Sequence, residues 1–232
     1  MCANLYKNGE YLELDQFWHT LDSPWKARHI LKMMKKNNIA PKTICEVGCG
    51  AGEVLVQLKR NMDQECIFRG YDIAPKAIEL CQERAADRLD FKLGDILQEE
   101  GVYFDLVLLI DLIEHLENYF DFLREIKPKS KYKILHIPLD LSAQWVLRSN
   151  PLMTGWKIAG HINYFTKDIA LQVLKDMGYE IIDYFYVGED TKLPAKSFKS
   201  RIVRPFKKML FSIHKDFAVR LLGGYSLMVL AK

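Results

Sequence analysis

Glycine occupies every second position from Gly48 to Gly52, and this spacing constrains the fold more than any other feature of the chain. The preceding residues 44–47, Ile-Cys-Glu-Val, are typical of a short buried strand with a single charge. Apolar residues at 54, 55 and 58 then form the inner face of a predicted helix. Glycine permits positive φ and close approach of a ligand, and a helix N-terminus favours a carboxylate or phosphate. The segment therefore predicts a strand, a tight ligand-binding turn and a helix.

The glycine spacing distinguishes two kinds of nucleotide site. The dinucleotide fingerprint requires its third glycine at position 53, which is Glu53 here. The segment instead resembles motif I of the class I S-adenosylmethionine-dependent methyltransferases, E/D-x-G-x-G-x-G. That resemblance implies that the loop, including Cys49, passes under the methionine part of the cofactor and that the early acid orients the cofactor's amino group. A glycine turn that only joins a strand to a helix is the alternative for this motif by itself. The matching residues are Glu46, Gly48, Gly50 and Gly52.

Acidic residues follow the next two predicted strands. Asp72 lies 20 residues after Gly52, where the second strand of a βαβ unit ends. A carboxylate there can accept two hydrogen bonds from a ribose diol, in methyltransferases and nicotinamide enzymes alike. Ile73 would lie beside an adenine. The resemblance further implies that Asp95 accepts from the adenine amino group and that the backbone of Ile96 meets a ring nitrogen, whereas a simple turn residue is the alternative for Asp95.

The fourth predicted strand, residues 104–110, is an apolar run typical of a central parallel strand. It leads into Asp-Leu-Ile-Glu-His-Leu at 111–116, which resembles the EHL segment of the same family. Asp111 is expected at the cofactor and Glu114 at the substrate pocket, since ligands bind beyond the carboxyl ends of parallel strands. His115 is the first candidate for a general base, because its pKa lies near neutrality. A structural hydrogen bond that fixes the loop is its alternative role.

The resemblance implies that residues 139–165 form a lid between the fifth strand and the next helix. Residues 160–166 resemble the G-H-x-x-x-F-[ST] segment of a subset that acts on small metabolites. His161 is therefore the second candidate base. Aromatic residues of this region are candidates for the substrate pocket, namely Trp145, Trp156 and Tyr164.

Two terminal regions are covered weakly by the resemblance. Residues 1–40 predict a helical cap in which Ser23 caps a helix and Trp18 lines the pocket or packs as core. Residues 188–222 predict a basic helical insertion before the last strand, with an apolar stripe at 198, 202, 206, 209 and 213. Such a helix can lie on an anionic membrane or a nucleic acid backbone. The interpretation preferred here is a docked helix with a solvated basic face.

Composition limits the remaining classes of protein. A net charge of +3 gives no general affinity for polyanions. The five cysteines, odd in number and without a CxxC pair, favour reduced thiols in the cytoplasm over disulfides or a zinc site. The sequence shows no signal peptide pattern and no apolar stretch of the roughly 18 residues that a membrane span needs.

These observations predict a single domain over residues 1–232 with a doubly wound, Rossmann-like α/β fold. The resemblance implies a sheet of seven mostly parallel strands in the order 3-2-1-4-5-7-6, with an antiparallel last strand and helices on both faces. The expected function is transfer of a methyl group from S-adenosylmethionine to an oxygen or nitrogen of a small-molecule acceptor, with S-adenosylhomocysteine as product and no metal. The alternatives are a nicotinamide-dependent oxidoreductase, which Glu53 and the EHL segment disfavour, and a non-catalytic binding protein of the same fold. The sequence predicts neither the acceptor nor the oligomeric state.

Overall fold

The computed structural model describes residues 20–62, 65–188 and 198–232, without the side chains of 198–204. Its sheet has seven strands in the order β3-β2-β1-β4-β5-β7-β6, which confirms the order predicted from the sequence. The pairs β5–β7 and β7–β6 are antiparallel and the other pairs are parallel. The strands are β1 Thr43–Val47, β2 Ile67–Asp72, β3 Leu89–Leu93, β4 Phe104–Ile110, β5 Ser130–Pro138, β6 Ile181–Gly188 and β7 Tyr225–Ala231.

Helices cover both faces of this sheet, as expected. The helices of the described residues are α1 Ser23–Lys36, α2 Glu53–Asn61, α3 Pro75–Gln82, α4 Tyr119–Ile126, α5 Ala143–Arg148, α6 Asn150–Thr154, α7 Lys167–Asp176, α8 Phe198–Ile213 and α9 Lys215–Leu222. Short 3₁₀ turns occur at Ile96–Gln98, Ile113–His115 and Lys127–Lys129, and a π turn at Gly155–Ala159.

Two apolar cores lie on opposite faces of the sheet. In β4, Leu106 and Leu108 face the core shared with α1, α2 and α3, whereas Val107 and Leu109 face the core shared with α4, α7 and α9. This alternation follows from the two-residue period of a strand and explains why β4 is apolar throughout. β1 and β4 are neighbours although the chain visits β2 and β3 between them. Such a reversal of strand order opens a crevice at the carboxyl ends of the strands, where ligands bind in open α/β sheets.

One predicted boundary differs from the structure. The N-cap position of α1 belongs to Asp22, and Ser23 is already helical. The predicted lid region contains α5, α6 and the π turn. Residues 1–19, which include Trp18 and much of the predicted cap, lie outside the described part of the chain.

Over residues 198–222 the basic region forms two helices, because the helix is interrupted at His214, whose Nδ1 accepts from Phe217 N (3.1 Å) and caps α9. The expectation that its apolar stripe packs on the sheet is wrong for the members with described side chains, since Phe206, Met209 and Ile213 are 53%, 53% and 73% exposed. Other positions of these helices make the contact with the sheet. The ring of Phe211 stacks on Tyr225 with centroids 5.0 Å apart.

Across the described residues, the helices are too short or too polar to cross a bilayer.

Candidate functional site

A cavity of ≈ 330 Å³ opens at the carboxyl ends of β1, β2 and β4. Its wall contains the loop between β1 and α2, the residues after β2, and the 3₁₀ turn after β4. Among the residues that the sequence assigned to the site, those that line the cavity are Glu46, Gly48, Cys49, Gly50, Asp72, Ile73, Asp95, Asp111 and His115. The structure therefore brings the glycine loop, the acidic residues that follow the next strands and His115, the first candidate base, to one cavity.

The glycine loop requires glycine for both its dihedral angles and its packing. Gly48, Gly50 and Gly52 have φ of 70°, 54° and 77°. A Cβ on Gly52 would lie 2.5 Å from the ring of Phe91. Gly52 does not line the cavity, and its N–H donates to the carbonyl of Cys49 (2.8 Å). We conclude that Gly52 maintains the conformation of the loop without lining the cavity, while Gly48 and Gly50 form part of the cavity wall.

Asp72 joins this loop to the end of β2. Its Oδ2 accepts from the N–H of Gly50 and its Oδ1 from the N–H of Ala74, both at 2.9 Å. Burial raises the pKa of Asp72, and the backbone hydrogen bonds oppose that shift. Each carboxylate oxygen has a second lone pair, so Asp72 can hold the loop and still accept from a ligand in the cavity.

Glu46 is a buried carboxyl group on the cavity wall, 2% exposed. Burial raises its pKa to about 8, and the nearby ammonium of Lys26 only partly opposes this shift. Its Oε2 finds no hydrogen-bond partner among the described residues. Because leaving a buried carboxylate oxygen without a partner is costly, this atom favours a bound hydrogen-bond donor or cation.

Lys26 is a site residue that the sequence analysis missed. Its Nζ lies 2.8 Å from Asp111 Oδ2 and 3.0 Å from Asp22 Oδ2. Burial alone would lower the pKa of Lys26, but the two carboxylates more than offset this and raise it. Likewise, burial would raise the pKa of Asp111, but His136 (Nδ1 to Oδ1, 2.6 Å) and Lys26 hold it well below its usual range. A lysine one turn before Ile30, on the buried face of α1, was the signal that could have revealed this network.

The two candidate bases lie together beside the cavity. The rings of His115 and His161 form an edge-on pair with centroids 5.0 Å apart. His115 Nδ1 lies 3.0 Å from the carbonyl oxygen of Gly160, and His161 Nδ1 lies 2.8 Å from Asp140 Oδ2. Glu114 is 1% exposed, and burial, then the charge of Asp111, raises its pKa well above the usual range. Sequence reasoning missed Asp140, which follows β5 without a recognisable motif.

Ile96 and the aromatic candidates of the lid do not line the cavity, whereas Asp95 lines it and has a second role. Ile96 is fully buried in the core, and the carboxylate of Asp95 accepts from Leu97 N (2.9 Å), so Asp95 also caps the 3₁₀ turn as its alternative role predicts. The three aromatic candidates of the lid do not line the cavity. Trp156 is 48% exposed, and the hydroxyl of Tyr164 donates to the carbonyl of Leu152 (2.8 Å). A Cβ on Gly223 would lie 2.7 Å from the indole nitrogen of Trp145, so that ring packs against this glycine, away from the cavity.

Comparison with protein families gives one match of high coverage. The model of a family described as "Methyltransferase domain" matches residues 17–184. The matched range is more than half of the chain and includes every cavity-lining residue of the glycine loop and of the turn after β4.

Two curated relatives from Rauvolfia serpentina match a shorter segment. Ajmaline N-methyltransferase is 34% identical over 94 residues, and norajmaline N-methyltransferase is 31% identical over 94 residues. Each alignment covers 37% of this chain and 31% of the relative. The chain thus matches about a third of the length of these relatives.

Solved structures extend the similarity of fold to most of the chain. Magnesium protoporphyrin IX methyltransferase from Synechocystis PCC 6803, solved with bound S-adenosylhomocysteine, gives a TM-score of 0.61 at 16% identity, covering 90% of this chain and 82% of its own. The [4+2]-cyclase SpnF gives a TM-score of 0.61 at 15% identity, covering 88% of this chain and 79% of its own. The fold is therefore shared by proteins named for different reactions.

Proposed function

The chain belongs to the methyltransferase domain family, and from this we propose that it transfers a methyl group from S-adenosylmethionine to an oxygen or nitrogen of a small-molecule acceptor, leaving S-adenosylhomocysteine. The observation that carries the proposal is the cavity in which the glycine loop, Asp72 and the partnerless Oε2 of Glu46 converge. We place the protein in the subset of the family that acts on small metabolites, on the GxGxG and EHL segments.

The chemistry of the cavity fits the cofactor. Glu46 offers a buried carboxyl oxygen to the cofactor's amino group, and Asp72 retains lone pairs for the ribose hydroxyls. We assign Asp95 and Ile73, which also line the cavity, to the adenine of the cofactor. When bound, S-adenosylmethionine supplies an activated methyl group on its sulfonium. The residues of the chain must then hold the acceptor in line and receive one proton.

His115 and His161 are the groups proposed to deal with that proton. His115 lines the cavity, and His161 lies beside it with Nδ1 on a carboxylate. In both rings the contact at Nδ1 is to an oxygen that accepts, so in the neutral form of each ring Nδ1 carries the proton and Nε2 carries the lone pair. Both imidazoles are therefore in the tautomer that can accept a proton from an acceptor hydroxyl or amine.

Small-molecule acceptors are proposed in line with the two Rauvolfia relatives, whose names give ajmaline and norajmaline as methylated compounds.

The proposed compartment is the cytoplasm. The thiol of Cys81 donates to the carbonyl oxygen of Gly50 (3.0 Å) at the cofactor loop. Because this hydrogen bond needs a free thiol, it persists only where cysteine stays reduced, as in the cytoplasm.

Isothermal titration with S-adenosylmethionine, S-adenosylhomocysteine and NAD tests the proposal. We expect both sulfur nucleosides to bind with one site per chain and NAD to give no heat above its dilution. Incubation with labelled S-adenosylmethionine and a panel of hydroxylated and amine compounds then measures turnover. Binding of NAD alone would replace the proposal with an oxidoreductase. Cofactor binding without transfer to any member of a broad panel would favour the non-catalytic alternative or another reaction of this fold, as the cyclase illustrates.

A further inference from the structure

We propose that Glu114, His115 and His161 bind a divalent first-row transition-metal ion beside the cavity. One carboxylate oxygen and one nitrogen of each imidazole lie within 4.8 Å of one another. The three residues come from two separate segments, the 3₁₀ turn after β4 and the loop before α7. This proposal replaces the expectation from the sequence that the protein uses no metal.

The hydrogen bonds of the two histidines are those of metal-binding imidazoles. His115 Nδ1 lies 3.0 Å from the Gly160 carbonyl oxygen, and His161 Nδ1 lies 2.8 Å from Asp140 Oδ2. Because both oxygens accept, the neutral form of each ring carries its proton on Nδ1 and leaves Nε2 as the ligand atom. A metal-binding histidine usually donates its other N–H to a carbonyl or a carboxylate, which fixes the ring and makes it more basic. Here the acceptor for His115 is a backbone carbonyl and the acceptor for His161 is a carboxylate.

The third ligand explains why an ion is needed. Glu114 is 1% exposed, and neither of its carboxyl oxygens has a hydrogen-bond partner among the described residues. A buried carboxylate in this condition loses its hydration without compensation. A cation bound by Glu114 would supply that compensation.

The geometry is held in place by the backbone. The carbonyl oxygen of Glu114 accepts from the N–H groups of Ile162 (2.9 Å) and Asn163 (3.0 Å). The side-chain amide of Asn163 donates to the carbonyls of Ile113 (3.1 Å) and Leu116 (2.7 Å). These bonds fasten the loop of His161 to the turn of Glu114 and His115. The ligands are thus positioned before an ion arrives, as a tight site requires.

The donor set selects the ion. Two imidazoles and one carboxylate suit Zn²⁺, Fe²⁺ or Mn²⁺, whereas Mg²⁺ prefers oxygen donors and retains its waters. Three protein ligands leave coordination positions open, as in catalytic zinc sites.

An open coordination position of the ion beside the cavity limits which acceptors can bind. This inference rests on the proposed methyl transfer. The ion would bind an acceptor through an oxygen and lower the pKa of its hydroxyl, as it does for water. With both Nε2 lone pairs on the ion, neither imidazole would act as the base, so in the metal-bound protein the hydroxyl would lose its proton to solvent and its oxygen would form the bond to the methyl carbon. The carbon–sulfur bond breaks and its electron pair stays on sulfur. We therefore infer an acceptor with a hydroxyl that can bind a metal ion.

Metal binding can be measured without turnover. The full chain, stripped with a chelator and dialysed, is titrated with ZnCl₂, MnCl₂ and MgCl₂ by calorimetry. We expect one Zn²⁺ per chain with a Kd below about 10 µM, weaker binding of Mn²⁺ and the weakest of Mg²⁺. Replacing Asp140, a positioning residue, by Ala should weaken Zn²⁺ binding by roughly 10–100-fold, and His161→Ala or Glu114→Gln by at least as much.

His214→Ala is the matched control, because His214 is an exposed histidine that caps α9. We expect it to bind Zn²⁺ like the parent chain. Near-ultraviolet circular dichroism shows which variants are folded, and His161→Asn replaces His161→Ala if the latter is not. Absence of stoichiometric Zn²⁺ binding, equal binding in folded Glu114 and His161 variants, or a preference for Mg²⁺ would overturn the proposal. Zn²⁺ binding by a chain that binds no sulfur nucleoside would support the metal site and overturn the proposed function.

Discussion

The carboxylate of Asp72 both holds the glycine loop by hydrogen bonds and lines the cavity. Its two oxygens accept from Gly50 N and Ala74 N at 2.9 Å, which ties the end of β2 to the glycine loop beside it. The sequence placed Asp72 by its distance from Gly52 and assigned it a ligand contact only. The structure adds the contact with the loop, so a substitution at Asp72 changes both the wall of the cavity and its support.

Replacing Asp72 by Ala should weaken binding of S-adenosylmethionine by roughly 10–150-fold, because hydrogen bonds to a charged group contribute about 1.5–3 kcal/mol. Calorimetry on the folded variant measures the loss. Asp87→Ala is the matched control, since Asp87 is exposed and its side chain does not line the cavity. An affinity equal to that of the parent chain would remove Asp72 from the binding site.

At the scale of elements, two phenylalanines of α8 show which side of this helix packs against the sheet. Phe211 packs against the core and stacks on Tyr225, whereas Phe206 is 53% exposed on the same helix. We expect Phe211→Ala to lower the free energy of unfolding by about 2–4 kcal/mol and Phe206→Ala to change it by less than about 0.5 kcal/mol.

Urea denaturation of the two variants measures this difference under identical conditions. The substitutions remove the same atoms from the same helix, so helix propensity cancels between them. Equal losses at the two positions would mean that Phe206 is covered in solution and that the stripe predicted from the sequence is a packing face after all.

The order of the strands could be predicted because the motifs of the chain resemble, in order and spacing, those of a family whose strand order is known. The cofactor side of the cavity followed from the same spacing. The partners of its charges did not, since Lys26 reaches Asp111 and His161 reaches Asp140 only after the chain has folded. Helical periodicity marked an apolar stripe on α8, but it could not tell which side of a partly exposed helix meets the sheet.

At the scale of the whole molecule, the fold concentrates carboxyl groups where the order of the strands reverses. Glu46 ends near Asp72 and Asp111 because β1 lies between β2 and β4. One buried ammonium, that of Lys26, comes from α1 to meet Asp111. Charge pairing therefore satisfies Asp111, backbone N–H groups satisfy Asp72, and Glu46 is the member of this group whose charge the described residues compensate least.

The stability of the protein should consequently depend on the protonation of Glu46. Its pKa in the folded chain is about 8, against an ordinary value of 4.5. Between these two values the folded chain holds a proton that the unfolded chain releases, so stability falls as pH rises, by up to about 1.4 kcal/mol per pH unit. Burial also raises the pKa values of Asp72 and Glu114, which act in the same direction. Only the contribution of Glu46 is removed in Glu46→Gln.

We expect the stability of Glu46→Gln relative to the parent chain to increase from about pH 5 to about pH 8, because the amide cannot ionise. Urea denaturation across this range, without cofactor, measures the difference. Glu79→Gln is the control, since Glu79 is exposed and the same change there should give a difference that does not vary with pH. If Glu46→Gln also gave a constant difference, Glu46 would be ionised throughout the range. Its carboxylate would then have a compensating partner in solution, and Oε2 would not be kept for a ligand's amino group.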